Sequence, residues 1–525
     1  MKMRLTQTKL ILGTSIFFVL FDNSAFFQHV IQVYPVTLKN IGFLASLAVG
    51  LTSLIMLLLT LVSSKYTTKP VLILLLMLSS LAAYFMNHYN VVIDDTMIHN
   101  MLKTNVNETL DLLSPQLLYY CFFLGVLPAF LVFIIKLEPT PWKKAGLIKT
   151  RDCLISILVI IVMLLSFSRF YTSFFREHKP LRYYTNPSYY IYSAGKYLNK
   201  TFSSSVTIRS IGEDAKKSAT DTERKLVILV VGEAVRADRL SLNGYSRETT
   251  PLLQKENVIS FTNMYSCATT TALSVPCMFS ILPRAEYSEA KGEAVENLLD
   301  VLGHADVHLL WRDNNSDSRD TARKVPYQDY TNPEVNTVCE GECRDEGMLV
   351  GLQEFIDEKQ KGDILIVLHQ MGNHGPAYYK RYPAEFEKFT PVCRTNQFDE
   401  CTKEEIGNAY DNATLYTDYF LTQVIGLLKK NSTGFETAML YMGDHGESLG
   451  EYNIYLHGLP YAMAPDSQKH IAALFWFDNR FKIDRQSIKG KSSKPFSHDN
   501  LFHTVLGLMK VETSIYDKGM DILAK

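Results

Sequence analysis

The chain has no charge excess of either sign. Its 53 Lys and Arg face 54 Asp and Glu, a formal net charge of −1 over 525 residues. The basic footprint by which a nucleic-acid-binding protein holds phosphates is therefore missing, and no nucleic-acid partner is expected. None of its 8 cysteines forms a C-x-x-C pair, which argues against a thiolate zinc site. No small-residue cleavage site follows the first apolar run, so that run reads as a retained helix and not a signal peptide. Charge is also scarce throughout the first third, and that scarcity decides the class of the molecule.

Apolar runs occupy about Leu10–Phe27, Ile41–Val62, Val71–Met86, Leu117–Ile135 and Leu154–Phe170. A helix needs roughly 20 apolar residues to cross a bilayer, so residues 1–170 read as five transmembrane helices, the first weakened by Asp22 near its end. Lys2, Arg4 and Lys9 precede the first run. Lys65 and Lys69 follow the second, and Lys136, Lys143, Lys144, Lys149 and Arg151 follow the fourth. The alternate loops carry only Lys39 and Lys103. Basic loops stay in the cytoplasm, which places the amino terminus inside and everything beyond the fifth helix outside. Residues 171–223 read as a bridging segment. Its Tyr- and Phe-rich first part suits the membrane–water boundary, with a packing surface as the alternative, and its polar second part is a linker. Residues 224–525 have the composition of a soluble domain.

Six cysteines of that domain form close pairs in sequence, Cys267 with Cys277, Cys339 with Cys343 and Cys393 with Cys401. Such pairs imply disulfides and an oxidising compartment, most simply a bacterial periplasm.

Four apolar, β-branched runs in the domain each end in polar residues. "KLVILVVGE" ends at Glu233, "VHLLWRDNNS" at Asn314 and Asn315, "DILIVLHQMGNH" at His374, and "TAMLYMGDH" at Asp444 and His445. Runs of this length suit buried parallel strands, and helical patterns at 348–360 and 405–430 separate some of them. An α/β sheet binds its ligands beyond the carboxyl ends of its strands. Carboxylate and imidazole mixtures suit zinc, and Gly443 and Gly446 would let the chain turn around Asp444 and His445. An ordinary polar turn with Glu447 capping a helix is the alternative. The stretch "SCATTTALSVPC", residues 266–277, sets three threonines before a predicted helix with Pro276 in its first turn. A helix amino terminus favours phosphate, and a metal can activate a hydroxyl there. The residues alone do not choose among Thr269, Thr270 and Thr271.

These segments, with "VGEAVRADRLSLNGYSRETTP", "HQMGNHGPAYYKRYP", "NAYDNATLYTD" and "GDHGESLGE", resemble the lipid A phosphoethanolamine transferases. That family, which includes the mobile colistin-resistance enzymes, lies within the alkaline-phosphatase superfamily. The resemblance implies five membrane helices followed by a periplasmic alkaline-phosphatase-like α/β/α domain. It implies Thr271 as the nucleophile, and Glu233, Asp444, His445 and the Thr271 oxygen as ligands of one tightly bound Zn2+. His374 and His457 would handle the phosphate or a second zinc. Thr269, Glu286, Asn315, Ser316 and Arg319 would meet the phosphoethanolamine headgroup, and Asn105 and Glu108 the lipid. Arg319 stands where Lys is common, Ala268 where Gly is usual and Ala234 where Thr is usual. His369 reads as a core residue, and His498 and His503 as residues orienting a helix near the site.

The implied activity is transfer of phosphoethanolamine from phosphatidylethanolamine to lipid A through a phospho-threonine, giving resistance to polymyxin-type peptides. The implied setting is a monomer, multi-pass in the bacterial inner membrane among its lipids. The rivals are another donor or acceptor and a non-catalytic sensor that kept the fold. A sulfatase is disfavoured, because no C-x-P-x-R motif is present.

Overall fold

The computed structural model describes residues 4–103, 112–202, 208–396 and 398–524. Asn105 and Glu108 lie outside the described residues. The chain divides into two compact units, Met1–Ile98 with Leu113–Thr201, and His99–Leu112 with Phe202–Lys525.

In the first unit, Ile41–Val62, Thr68–His88 and Pro115–Ile134 are long and apolar enough to cross a membrane. Gln7–Asp22 and Ser24–Val33 make a fourth if counted as one span, bent by 60°. The bend follows a π-helical turn at Phe18–Asp22, a common site of helix kinks. This measure does not reach the expected count of five. The fifth run lies in Trp142–Ser166, where Lys149, Arg151 and Asp152 leave only Cys153–Ser166 apolar, short of the ~20 residues a crossing takes. The Tyr-rich stretch packs within the same unit. Tyr171, Tyr184 and Tyr190 are buried, with Tyr171 edge-on to Phe43 and Tyr190 bonded to Ser79 Oγ at 3.1 Å. Tyr192 is exposed.

The second unit is built on a seven-stranded sheet. Its strands in chain order are β1 Lys225–Gly232, β2 Ile259–Ser260, β3 His308–Asp313, β4 Tyr327–Asp329, β5 Ile364–His369, β6 Glu436–Gly443 and β7 Ala473–Phe477. The spatial order is β2-β7-β6-β1-β5-β3-β4. The four strands read from the sequence form its parallel centre, and β7 and β2 close one edge antiparallel. Side chains alternate faces along a strand. Val227, Leu229 and Val231 therefore join one core with the helices Leu298–His304 and Leu501–Leu508. Leu226, Ile228 and Val230 join a second core with the helix Lys403–Asn431. Two buried faces explain why these strands read as unbroken apolar runs. The six cysteines pair as 267–277, 339–343 and 393–401. Cys121 and Cys153 are free thiols.

Candidate active site

β1 and β6 are parallel neighbours that end in register at Gly232 and Gly443, so the residues that follow, Glu233 and Asp444, emerge side by side. Asp444 accepts from the Ala234 amide at 3.0 Å and the His445 amide at 2.7 Å. Those bonds occupy Oδ1 and leave Oδ2 3.3 Å from His445 Nε2. The glycines serve this junction differently from expectation. Neither Gly443 nor Gly446 has a positive φ; both are sites of close approach. A Cβ on Gly446 would stand 2.1 Å from the Ser467 carbonyl, and one on Gly443 3.0 Å from that of Val235. The left-handed backbone falls instead on Ala234, at φ 56°.

The helix Thr271–Met278 begins at the first residue of "TALS". Pro276 therefore sits beyond its first turn, because the helix starts earlier than the sequence suggested. The loop before it is pinned to the end of β6. His498 accepts from the Cys267 amide at 3.0 Å and meets the Gly443 carbonyl at 2.9 Å, and Ser274 donates to the Asp444 carbonyl at 2.5 Å. The three threonines then diverge. Thr269 donates to the Leu459 carbonyl at 2.6 Å. Thr270, at the N-cap, makes no capping bond with its side chain, and its buried hydroxyl has no partner among the described residues. Thr271 donates to Glu233 Oε2 at 3.0 Å and lies 3.2 Å from His445 Nε2.

His445 Nδ1 faces the Gly446 carbonyl at 2.9 Å. A carbonyl only accepts, so Nδ1 carries the hydrogen and Nε2 turns a lone pair toward Thr271, Glu233 and Asp444. Burial holds the His445 pKa below its ordinary value. Burial first, and then the charge of Asp444, push the Glu233 pKa well above the carboxylate range. Glu233 Oε1 and Asp444 Oδ2 have no hydrogen-bond partner among the described residues. A buried carboxylate without a donor is costly, and these two point at the lone pair of an imidazole. That donor set fits a cation of the zinc type. Glu233, His445 and His457 also offer ligand atoms within 4.8 Å of one another.

His457 and His374 flank this cluster, with ring centroids 4.1 Å from His445 to His457 and 6.0 Å from His457 to His374. Glu447, for which sequence offered only a cap, is fully buried and reaches His457 Nδ1 at 3.1 Å; a strand, Ser448–Leu449, follows it and no helix. On the other side Asn315 donates to Glu233 Oε2 at 2.9 Å and to the Gln370 carbonyl at 2.7 Å. Ser316 donates to Asn315 Oδ1 at 2.9 Å, and Arg319 donates to Ser316. Glu286 sits in an exposed turn, and among the described residues no hydrogen bond ties its carboxylate to the cluster. His369 is core, yet it is paired with Asp313 at 2.9 Å. Asp313 Oδ1 in turn accepts from the Asn315 amide at 2.9 Å, so the pair supports Asn315. His503 Nδ1 accepts from the Asp517 amide, away from these groups. Sequence reasoning missed Glu447, Ser274 and the Asp313–His369 pair. Only the "HGE" spacing hinted at the first.

Two family models match the chain. "Sulfatase" covers residues 225–511 and "Phosphoethanolamine transferase EptA/EptB" covers residues 51–202. The chain is 41% identical over 512 residues to phosphoethanolamine transferase EptA of Escherichia coli strain K12, covering 95% of this chain and 93% of that protein. It is 43% identical over 517 residues to phosphatidylethanolamine transferase Mcr-1 of Escherichia coli, covering 96% and 94%. Among solved structures, the lipooligosaccharide phosphoethanolamine transferase EptA of Neisseria meningitidis superposes with a TM-score of 0.95 at 35% identity, covering 99% of both chains.

Proposed function

The chain belongs to the EptA/Mcr-1 family of phosphoethanolamine transferases, and on that premise we propose that it moves phosphoethanolamine from phosphatidylethanolamine to lipid A through Thr271. The observation that carries this reading is the Thr271 hydroxyl, held between Glu233 and His445 at a helix amino terminus. Glu233, Asp444, His445 and Thr271 would hold one Zn2+, with His457 within reach of a second ion. A bound zinc would lower the pKa of the Thr271 hydroxyl and neutralise phosphoryl charge. Glu233 takes up the hydroxyl proton as Thr271 Oγ1 bonds to phosphorus and the bond from phosphorus to the glyceryl oxygen breaks. His457, steadied by Glu447, or His374 relays a proton from solvent to the departing diacylglycerol oxygen and ends as the neutral imidazole it began as. A lipid A phosphate oxygen then attacks the same phosphorus, and Thr271 regains its hydroxyl. The free backbone N–H groups of the helix amino terminus face the phosphoryl oxygens. Asn315, Ser316, Arg319, Thr269 and Glu286 contact the headgroup, and Asn105 and Glu108 the lipid.

We assign the chain to the bacterial inner membrane as a monomer with five crossings, the catalytic domain at 224–525 in the periplasm, and 171–223 as the bridge. Adding an amine to an anionic lipid weakens the attraction for cationic peptides such as polymyxins. The test is to incubate the protein with donor lipid and no acceptor. A phosphoethanolamine increment is expected on the peptide holding residues 266–277, and it should vanish in Thr271→Ala. An unlabelled peptide under demonstrated turnover would exclude the covalent route.

A further inference from the structure

The membrane unit carries a buried acid that this reaction does not use. Asp22 lies where the first helix turns π-helical and then bends by 60°. Its side chain is 1% exposed, and both carboxylate oxygens lack a hydrogen-bond partner among the described residues. The amides beside it are committed elsewhere. Asn23 Nδ2 donates to the Phe18 carbonyl at 2.9 Å and to the Asn186 carbonyl. Asn186 Nδ2 donates to the backbone carbonyls of Asp22 at 3.2 Å and Ser79 at 2.9 Å. The remaining oxygen of that amide, Asn186 Oδ1, is itself buried and, among the described residues, without a donor.

The chain thus gathers acceptors and spends every neighbouring amide donor on backbone carbonyls. An ionisable group kept in such a place marks a functional site before it marks a structural one. The orphan atoms of Asp22 and Asn186 are all oxygens, which selects a hard cation over a soft metal. One carboxylate balances one positive charge. Three acceptors, Asp22 Oδ1, Asp22 Oδ2 and Asn186 Oδ1, match the three donors of an –NH3+ group.

We propose that Asp22 and Asn186 form a primary-ammonium site within the membrane unit. Both side chains are shut off from solvent, so an occupant enters by movement of the segment around Asn186 away from the helix bend. That the natural occupant is the ethanolamine headgroup of a lipid rests on the donor proposed above; the ammonium site itself does not.

The test uses the full chain carrying Thr271→Ala, so that turnover plays no part, in nanodiscs of phosphatidylcholine with or without phosphatidylethanolamine. The thermal midpoint is read in each, and again in phosphatidylcholine with ethanolammonium chloride or, at equal ionic strength, choline chloride, whose nitrogen has no N–H. Phosphatidylethanolamine is expected to raise the midpoint by several degrees, and Asp22→Asn, isosteric but neutral, to cut that rise to the share the catalytic site provides. A rise with ethanolammonium as well shows that the free amine suffices; a rise with the lipid alone assigns the site to the headgroup. No rise in the parent chain, or an equal rise in Asp22→Asn, overturns the proposal, the latter because a neutral group then serves as well. Should Asp22→Asn fail to unfold cooperatively, Asp22→Ser replaces it, and an undiminished rise there overturns the proposal equally. Loss of labelling at Thr271 in the parent protein would sink the catalytic reading and leave this one standing.

Discussion

Thr270 and Thr271 are adjacent, both buried and chemically identical, and they differ in what their hydroxyls meet. Thr271 faces a carboxylate and an imidazole, whereas the Thr270 hydroxyl is buried with no partner among the described residues. Removing an unsatisfied buried hydroxyl at constant shape is neutral or stabilising, by up to about 1 kcal/mol. Thr270→Val is therefore expected to keep labelling and to leave the thermal midpoint level or higher, while Thr271→Val abolishes labelling; lost labelling in Thr270→Val would show that the wrong threonine was chosen. Glu233 allows a prediction with two signs. Without a cation its carboxylate shares a dry site with Asp444, and burial and that neighbouring charge both disfavour ionisation. Glu233→Gln removes the conflict at constant volume. The chelator-treated chain should then gain stability, on the order of 1–3 kcal/mol, while the rise in midpoint on adding zinc disappears. Paired thermal scans with chelator and with zinc read both effects, and a zinc response kept in Glu233→Gln would remove Glu233 from the ligand set.

At the scale of elements, the loop after β5 is steered from a distance. The hairpin closed by Cys339 and Cys343 presents Glu342, which meets Arg381 Nη1 through both carboxylate oxygens at 2.6 Å. Arg381 Nε donates to the His374 carbonyl at 2.7 Å. A guanidinium can make these bonds together because its donors form a rigid fork, which an ammonium lacks. Arg381→Lys is expected to lower kcat about tenfold with KM nearly unchanged, since a small misplacement of a catalytic group acts on the reacting geometry; steady-state kinetics on donor lipid decide, and an effect confined to KM would move Arg381 into donor binding. The four central strands and their polar ends were legible because two buried faces force unbroken apolar runs that stop where the chain leaves the sheet. Glu447 and Ser274 were not, because their roles depend on His457 and on the Asp444 carbonyl, partners brought close only by the fold. The glycines of "GDHG" were read as turn formers because sequence reports their freedom of φ and not the Ser467 carbonyl lying against Gly446. The fifth apolar run looked long enough because sequence does not announce that its helix ends at Ser166.

For the whole molecule, the physical question is which side of the bilayer each segment faces, and the proposed topology rests on charge. Lys143, Lys144, Lys149 and Arg151 crowd the start of the helix Trp142–Ser166. Moving that many cations across a bilayer core costs roughly 2.5–3.5 kcal/mol apiece even on the mildest scale, which is why the proposed topology keeps this end cytoplasmic. Only an odd number of crossings then delivers residues after 202 to the periplasm, where three disulfides can persist. On the topology proposed above, the helix Trp142–Ser166 is the fifth crossing even though its apolar stretch is short. A short stretch is accommodated by local thinning and by lysine and arginine side chains reaching back to the headgroups. A reporter fused at residue 145 is expected to be active only in the cytoplasm, and one fused at residue 215 only in the periplasm. Replacing Lys143, Lys144, Lys149 and Arg151 by Gln together should leave a mixed population at residue 215, because the bias that orients the last helix is gone. A cytoplasmic reporter at residue 215 in the parent chain would reduce the crossings to four and deprive the disulfides of their oxidising compartment.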